Sequence, residues 1–269
     1  QTQWDNHVLP ATPLATHVST ASVSSGSVAH TLSDWVTIID PVTTNECCWL
    51  EIEVNDTATS AAQTDLLLNI GIGAAGSEQT IIPNMLAGWV QQTWAPGKVM
   101  SVPFYLPPST RLAGRAQGFA ATDRVYVNIR AWDGMSLPGW PRFVGCDAYG
   151  AQTASSIGTV VASASTAGSE TAWTSIGATT SRDYKAIYPM AGGTNADVTT
   201  TSIAYHMEVG YSSTTLAVYY VRADTSENVH QKPNWPTFVP IPSGTQLQIR
   251  YEQSGSDAQD LDFIIYCFY

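Results

Sequence analysis

The sequence predicts an all-β chain: two tandem, homologous, jelly-roll-like β-sandwiches preceded by an extended N-terminal arm. Three observations predict it. Apolar and polar residues alternate with the two-residue period of strands. No 12-residue window carries a convincing i, i+3, i+4, i+7 stripe. The two halves also repeat one another, from Leu106 over Ile241 (offset 135) to Gly71 over Gly210 (offset 139).

Composition narrows the function. Of 269 residues, 44% are hydrophobic, which suits a globular core, and only 12% are charged, too few for long charged helices. The net charge of -11 with 11 Lys and Arg argues against nucleic-acid binding, which needs clustered cations. No apolar run reaches the roughly 18 residues of a membrane-spanning helix. From Gln1 onward there is no basic-then-apolar leader pattern.

Residues 1–32 hold three of the five histidines, with Pro10 and Pro13 making the start extended. This segment reads either as an arm strapping onto a neighbouring subunit or as an ordinary first strand with a frayed end. A sandwich at 33–135 follows. Its strands include Trp49-Leu50-Glu51-Ile52-Glu53-Val54, with Leu50, Ile52 and Val54 on the core face, so Glu51 and Glu53 lie toward solvent. Leu66 to Ile70 is a strand, and the cluster Asn69 to Gly76 reads as a turn. The spelling Gly71-Ile72-Gly73-Ala74-Ala75-Gly76 satisfies GxGxxG, but no βαβ unit surrounds it, so it is a loop and not a dinucleotide site. Arg124 to Arg130 aligns Val125, Val127 and Ile129 on one face.

The segment Gly134-Met135-Ser136-Leu137-Pro138-Gly139-Trp140-Pro141 has the composition of a linker, which starts the second sandwich at 136–269. There, Leu216 to Val221 and Leu261 to Tyr269 are β-branched and aromatic. The repeat is clearest in aliphatic-Pro-x-x-Thr-x-Leu-x-x-Arg, which runs from Leu106 to Arg115 and from Ile241 to Arg250. Gln117 then matches Gln253, and Trp35-Val36-Thr37-Ile38 matches Trp173-Thr174-Ser175-Ile176. In this skeleton the Pro and Thr start a strand, Leu enters the core, and Trp35 and Trp173 anchor each sandwich.

Chemistry-bearing motifs are scarce. There is no GxSxG elbow, Walker A loop or HExxH. His7, His17, His30, His206 and His230 show no metal spacing. Asp257, Asp260 and Asp262 lack a full calcium loop and read as solvated carboxylates. Cys47, Cys48, Cys146 and Cys267 form no CxxC pair and read as mostly buried free thiols. No catalytic residue, cofactor or metal is predicted. Nine tryptophans remain, five of them beside Gly or Pro and so near loops: Trp89, Trp94, Trp132, Trp140 and Trp235. These are the candidate contact or glycan-stacking residues.

The run Leu68 to Leu86, with GIGAAGSEQTIIPNML at its centre, the segment Tyr105 to Gln117 and the Trp-x-x-Ile entries resemble tandem β-domain structural proteins of tailed bacteriophages and prophages. The second half departs from them, since Gly210-Tyr211-Ser212-Ser213 replaces the glycine-rich run. The resemblance implies a non-enzymatic protein of the virion surface, a capsid decoration (cement) or head-spike protein. Its expected partners are the major capsid protein or other virion proteins and further copies of itself, a trimer being plausible on symmetry grounds. The alternative is a tail-fibre or baseplate module that binds host surface glycans. Neither reading involves nucleic acid or a membrane.

Overall fold

The computed structural model describes residues 17–40, 46–56, 66–87, 98–133, 142–164, 166–193, 203–223, 229–255 and 260–269. All regular structure in them is strand. The first half supplies β1 (His17–Ser24), β2 (Val36–Ile39), β3 (Cys47–Asp56), β4 (Leu66–Ile72), β5 (Gln79–Leu86), β6 (Lys98–Val102), β7 (Leu112–Gly118) and β8 (Arg124–Asp133). They form two antiparallel four-stranded sheets, ordered β1-β8-β3-β6 and β2-β7-β4-β5. That interleaving is the eight-stranded jelly roll. Leu50, Ile52 and Val54 face Val125, Val127 and Ile129 inward as the alternation predicts.

The second half supplies β9 (Cys146–Tyr149), β10 (Thr159–Val161), β11 (Thr174–Ser175), β12 (Ala186–Gly193), β13 (Ile203–Tyr211), β14 (Thr214–Ala223), β15 (Val229–Lys232), β16 (Leu247–Gln253) and β17 (Leu261–Phe268). Here β10-β17-β12 is one sheet, with β9 also on β17, and β11-β16-β13-β14-β15 is the other. The pairings repeat the first half. Val36 opposite Gly114 becomes Thr174 opposite Ile249, and Glu51 opposite Arg130 becomes Tyr188 opposite Tyr266. One strand has changed partner. β6 lies on β3, whereas β15 lies on β14, and the chain then bridges Ile187 of β12 at Thr237 and Tyr184 just before β12 at Ile241.

The repeated skeleton makes the same turn twice. Thr110 Oγ1 donates to the Pro107 carbonyl at 2.7 Å and Thr245 Oγ1 to that of Pro242 at 2.7 Å. The residue before each Thr has positive φ, 58° at Ser109 and 80° at Gly244. Leu112 and Leu247 behind these turns are fully buried.

The rolls share one continuous buried apolar cluster. The β5 and β6 side of the first roll meets the β9-β17-β12 sheet of the second. Tyr266 Oη donates to the Asn84 carbonyl (2.7 Å) and accepts from Leu86 N–H (2.8 Å). Tyr188 Oη donates to the Val99 carbonyl (3.2 Å), and Ser101 N–H donates to the Asn234 carbonyl (2.9 Å). A sheet covered on both faces reads as a continuous apolar run, and every residue of β17 is buried.

Several expectations need correction. The strand expected to end at Ile70 runs on to Ile72, so the turn begins at Gly73 rather than Asn69. Asp262 is buried and not solvated, because its side of β17 is covered. Asp257 lies outside the described residues, as do the proposed linker at 134–141 and residues 1–16 of the arm. Residues 17–24 of the N-terminal segment are β1, paired along their length with β8.

Candidate functional site

Of the five predicted aromatics, Trp89, Trp94 and Trp140 lie outside the described residues. Trp235 is on a loop and 52% exposed. Trp132 is the last residue but one of β8, directly opposite Trp49 of β3.

Trp132 and Trp49 therefore stand side by side on the outer face of the first roll, since their neighbours Ala131 and Leu50 are buried inward. Trp49 Nε1 donates to Ser101 Oγ at 2.8 Å, which fixes the indole toward β6. One pair further along, about 6.8 Å by strand geometry, Arg130 Nη1 donates to Glu51 Oε1 at 2.5 Å. These side chains are 45% and 25% exposed. Glu53 opposite Asn128, and the exposed Tyr126, continue the face. Because Ser101 also bonds to Asn234, the loop carrying Trp235 meets the β6 edge of this sheet. The alternation of β3 puts Trp49 on the same face as Glu51 and Glu53, but it has no Gly or Pro neighbour to mark it among the five candidates.

A second cluster closes one end of the same roll. Arg111, from the repeated turn, donates to Thr37 Oγ1 through Nε (3.0 Å) and Nη2 (2.8 Å). Its Nη1 reaches the Gly73 carbonyl (3.2 Å) and Glu78 Oε1 (2.7 Å). Arg111 and Thr37, with Asp40, residues 72–75, Pro107 and Thr110, border an open cleft of about 720 Å³. Each guanidinium nitrogen of Arg111 is engaged, so the cluster clamps the Pro107–Thr110 turn to β2 and to the β4–β5 turn. Sequence reading missed it because the residues come from three separate segments.

In the second roll, Arg250 spans Glu208 (Nη2 to Oε2, 2.8 Å) and Glu170, and lies over the Trp173 ring at 4.7 Å. Burial pushes the Glu208 carboxyl up, but hydrogen bonds from Thr215 and Arg250 outweigh it and leave it below its ordinary 4.5. The hydrogen bond from Arg111 likewise holds Glu78 low. A carboxyl depressed in the folded state contributes stability that is present above its unfolded value and lost as pH falls through its folded value. Glu208→Gln is therefore expected to flatten the acid limb of a melting-temperature profile below about pH 4.5.

None of the four cysteines is in a disulfide. Burial pushes the Cys146 and Cys267 thiols well up, and Cys47 is also buried. Reactivity follows thiolate content and access. In the native protein a disulfide reagent is expected to label Cys48 alone, with the other three reacting only after denaturation, as read by mass spectrometry.

Among the described residues no group of three or more His, Cys, Asp or Glu could hold a metal, and no helix is long and apolar enough to cross a membrane.

No protein-family model matches the chain, and no curated protein does either. Among solved structures, PNGF-II is similar with TM-score 0.39 at 8% identity, over 94% of this chain and 65% of that one. The chain thus spans just under two thirds of PNGF-II. The tandem CBM22-1-CBM22-2 domains of Paenibacillus barcinonensis Xyn10C give TM-score 0.26 at 11% identity, over 94% and 91%. A chain of Sulfolobus Turreted Icosahedral Virus gives 0.30 at 9%, over 94% and 90%. Likeness at this level carries no argument about activity, ligand or assembly.

Proposed function

We propose that this chain is a non-enzymatic structural protein of a virion surface, a capsid decoration or head-spike protein of a tailed bacteriophage. The supporting observation is the fusion of two jelly rolls into one body through the buried Tyr266 and Tyr188 contacts. Jelly rolls are a recurrent build of capsid and lectin domains. A seam whose hydrogen bonds are satisfied on both sides suits a part that must bear load without moving. The low charge and the resemblance of residues 68–86 and 105–117 to phage structural proteins point the same way.

In this reading the partners are the major capsid protein or other virion proteins and further copies of the chain. Among the described residues β1 is an edge strand of its sheet, so its outer side offers backbone groups to an added strand. The preceding residues 1–16 are the natural strap.

The test is copy number per particle, measured by quantitative mass spectrometry of purified virions against the major capsid protein. Hundreds of copies fit a shell decoration protein, and deleting residues 1–16 should then weaken capsid binding. Six to a few dozen copies move the protein to a vertex or the tail. Absence from particles overturns the reading.

A further inference from the structure

We infer that the outer face of the β1-β8-β3-β6 sheet is a carbohydrate-binding surface. Trp49 and Trp132 are its stacking platform, and Glu51, Arg130 and Asn128 are its hydrogen-bonding groups. The inference goes beyond the virion reading and holds for a head or a tail position alike.

The argument comes from comparing the two rolls position by position. Pairing equates Trp49, Glu51, Arg130 and Trp132 with Ala186, Tyr188, Tyr266 and Phe268, and Asn128 with Ile264. In the second roll this face is covered by the first roll, and all five residues are buried. They are aliphatic or aromatic, as a protein-covered sheet face should be. In the first roll the same face keeps large aromatics at one end but carries a carboxylate, a guanidinium and an amide where the other has Tyr188, Tyr266 and Ile264. A face meant for another protein's core would repeat the apolar pattern. An aromatic pair beside planar polar groups instead matches a sugar, which offers an apolar C–H face for stacking and hydroxyls around its rim.

Local structure supports a prepared site. The hydrogen bond to Ser101 holds the Trp49 ring. The Glu51–Arg130 pair ties the two groups together while leaving both accessible. Tyr126 is 45% exposed, six residues along β8 from Trp132. At about 3.4 Å per residue the row extends about 20 Å, enough for an oligosaccharide rather than a single sugar. Trp235 stands at the β6 edge of the same sheet.

The test uses the full chain on an array of neutral and acidic oligosaccharides, followed by calorimetric titration of the best binder. Trp132→Ala and Trp49→Ala are each expected to weaken binding roughly tenfold, the scale of one lost stacking contact. Arg130→Gln should weaken it several-fold, and Tyr220→Ala, an exposed aromatic on β14 of the second roll, should leave it unchanged. Melting temperatures establish folding, and if a tryptophan variant unfolds, Arg130→Gln decides. The inference is overturned if no oligosaccharide binds, or if binding ignores these variants. It is also overturned if sedimentation shows that the face mediates self-association abolished by the same substitutions. Copy number per virion would be unaffected by any of these outcomes.

Discussion

Tyr266→Ala is expected to destabilise the protein by about 3–5 kcal/mol, the range for truncating a buried aromatic. Tyr266 is fully buried, and its ring sits at the centre of the shared core. Its hydroxyl also serves two backbone groups of β5 that lie 180 and 182 residues away in sequence. Truncation therefore leaves a cavity and strands Leu86 N–H and the Asn84 carbonyl in a dry seam. Tyr266→Phe separates the two effects. It keeps the ring and removes only the hydroxyl, so about 1–3 kcal/mol should be lost. Urea unfolding followed by circular dichroism measures both. A second expectation concerns cooperativity. Because the seam couples the rolls, Tyr266→Ala should split a single transition into two, whereas Tyr266→Phe should keep it single. Equal small losses for both variants would mean that the seam contributes little to holding the rolls together.

The sequence made the strands legible where one face is wet. β3 and β8 alternate cleanly because Glu51, Glu53, Asn128 and Arg130 face out, and the duplication was readable because turn chemistry recurs at Pro107 and Pro242. It was least legible where tertiary contacts override local pattern. β17 reads as a strand, but nothing in Leu261 to Phe268 says that its second face is covered by another domain, so Asp262 was placed in solvent. Gly134 marks Trp132 as near a loop, and Trp132 is in fact the last residue but one of β8, but composition alone does not say that it pairs within the sheet. The aromatic face was half visible. Trp132 and Trp235 stood out, but Trp49 joins them only through strand register, which no single segment encodes. The Arg111 clamp was invisible for the same reason, since Thr37, Gly73 and Glu78 converge only after the roll closes.

The duplication also makes a sharper prediction, at two glycines that occupy the same place in each roll. Trp35 lies over Gly71 and under Arg115, whose guanidinium is 4.4 Å from the indole centroid, and Trp173 stands likewise between Gly210 and Arg250 at 4.7 Å. Glycine in a strand marks close approach of another group, and here the group is the indole at Gly71, and the Thr214 carbonyl with the indole beside it at Gly210. A Cβ on Gly71 would lie 2.6 Å from Trp35 Cη2, and one on Gly210 would lie 2.9 Å from Trp173 Cη2. Gly71→Ala and Gly210→Ala are expected to cost about 1–3 kcal/mol each by overpacking. The two should differ in what relieves them. At Gly71 the nearest obstacle is a side chain that can tilt, whereas at Gly210 the Cβ also meets the Thr214 carbonyl, which belongs to the β13–β14 hairpin and cannot move without it. In double-mutant cycles, Trp35→Ala should therefore absorb most of the cost of Gly71→Ala, giving a coupling energy well outside the few tenths expected of independent sites. Trp173→Ala should absorb only part of the cost of Gly210→Ala, so that variant stays destabilised even without its indole. Additive effects at both sites would show that the glycines are tolerated substitutes and not seats cut for the tryptophans.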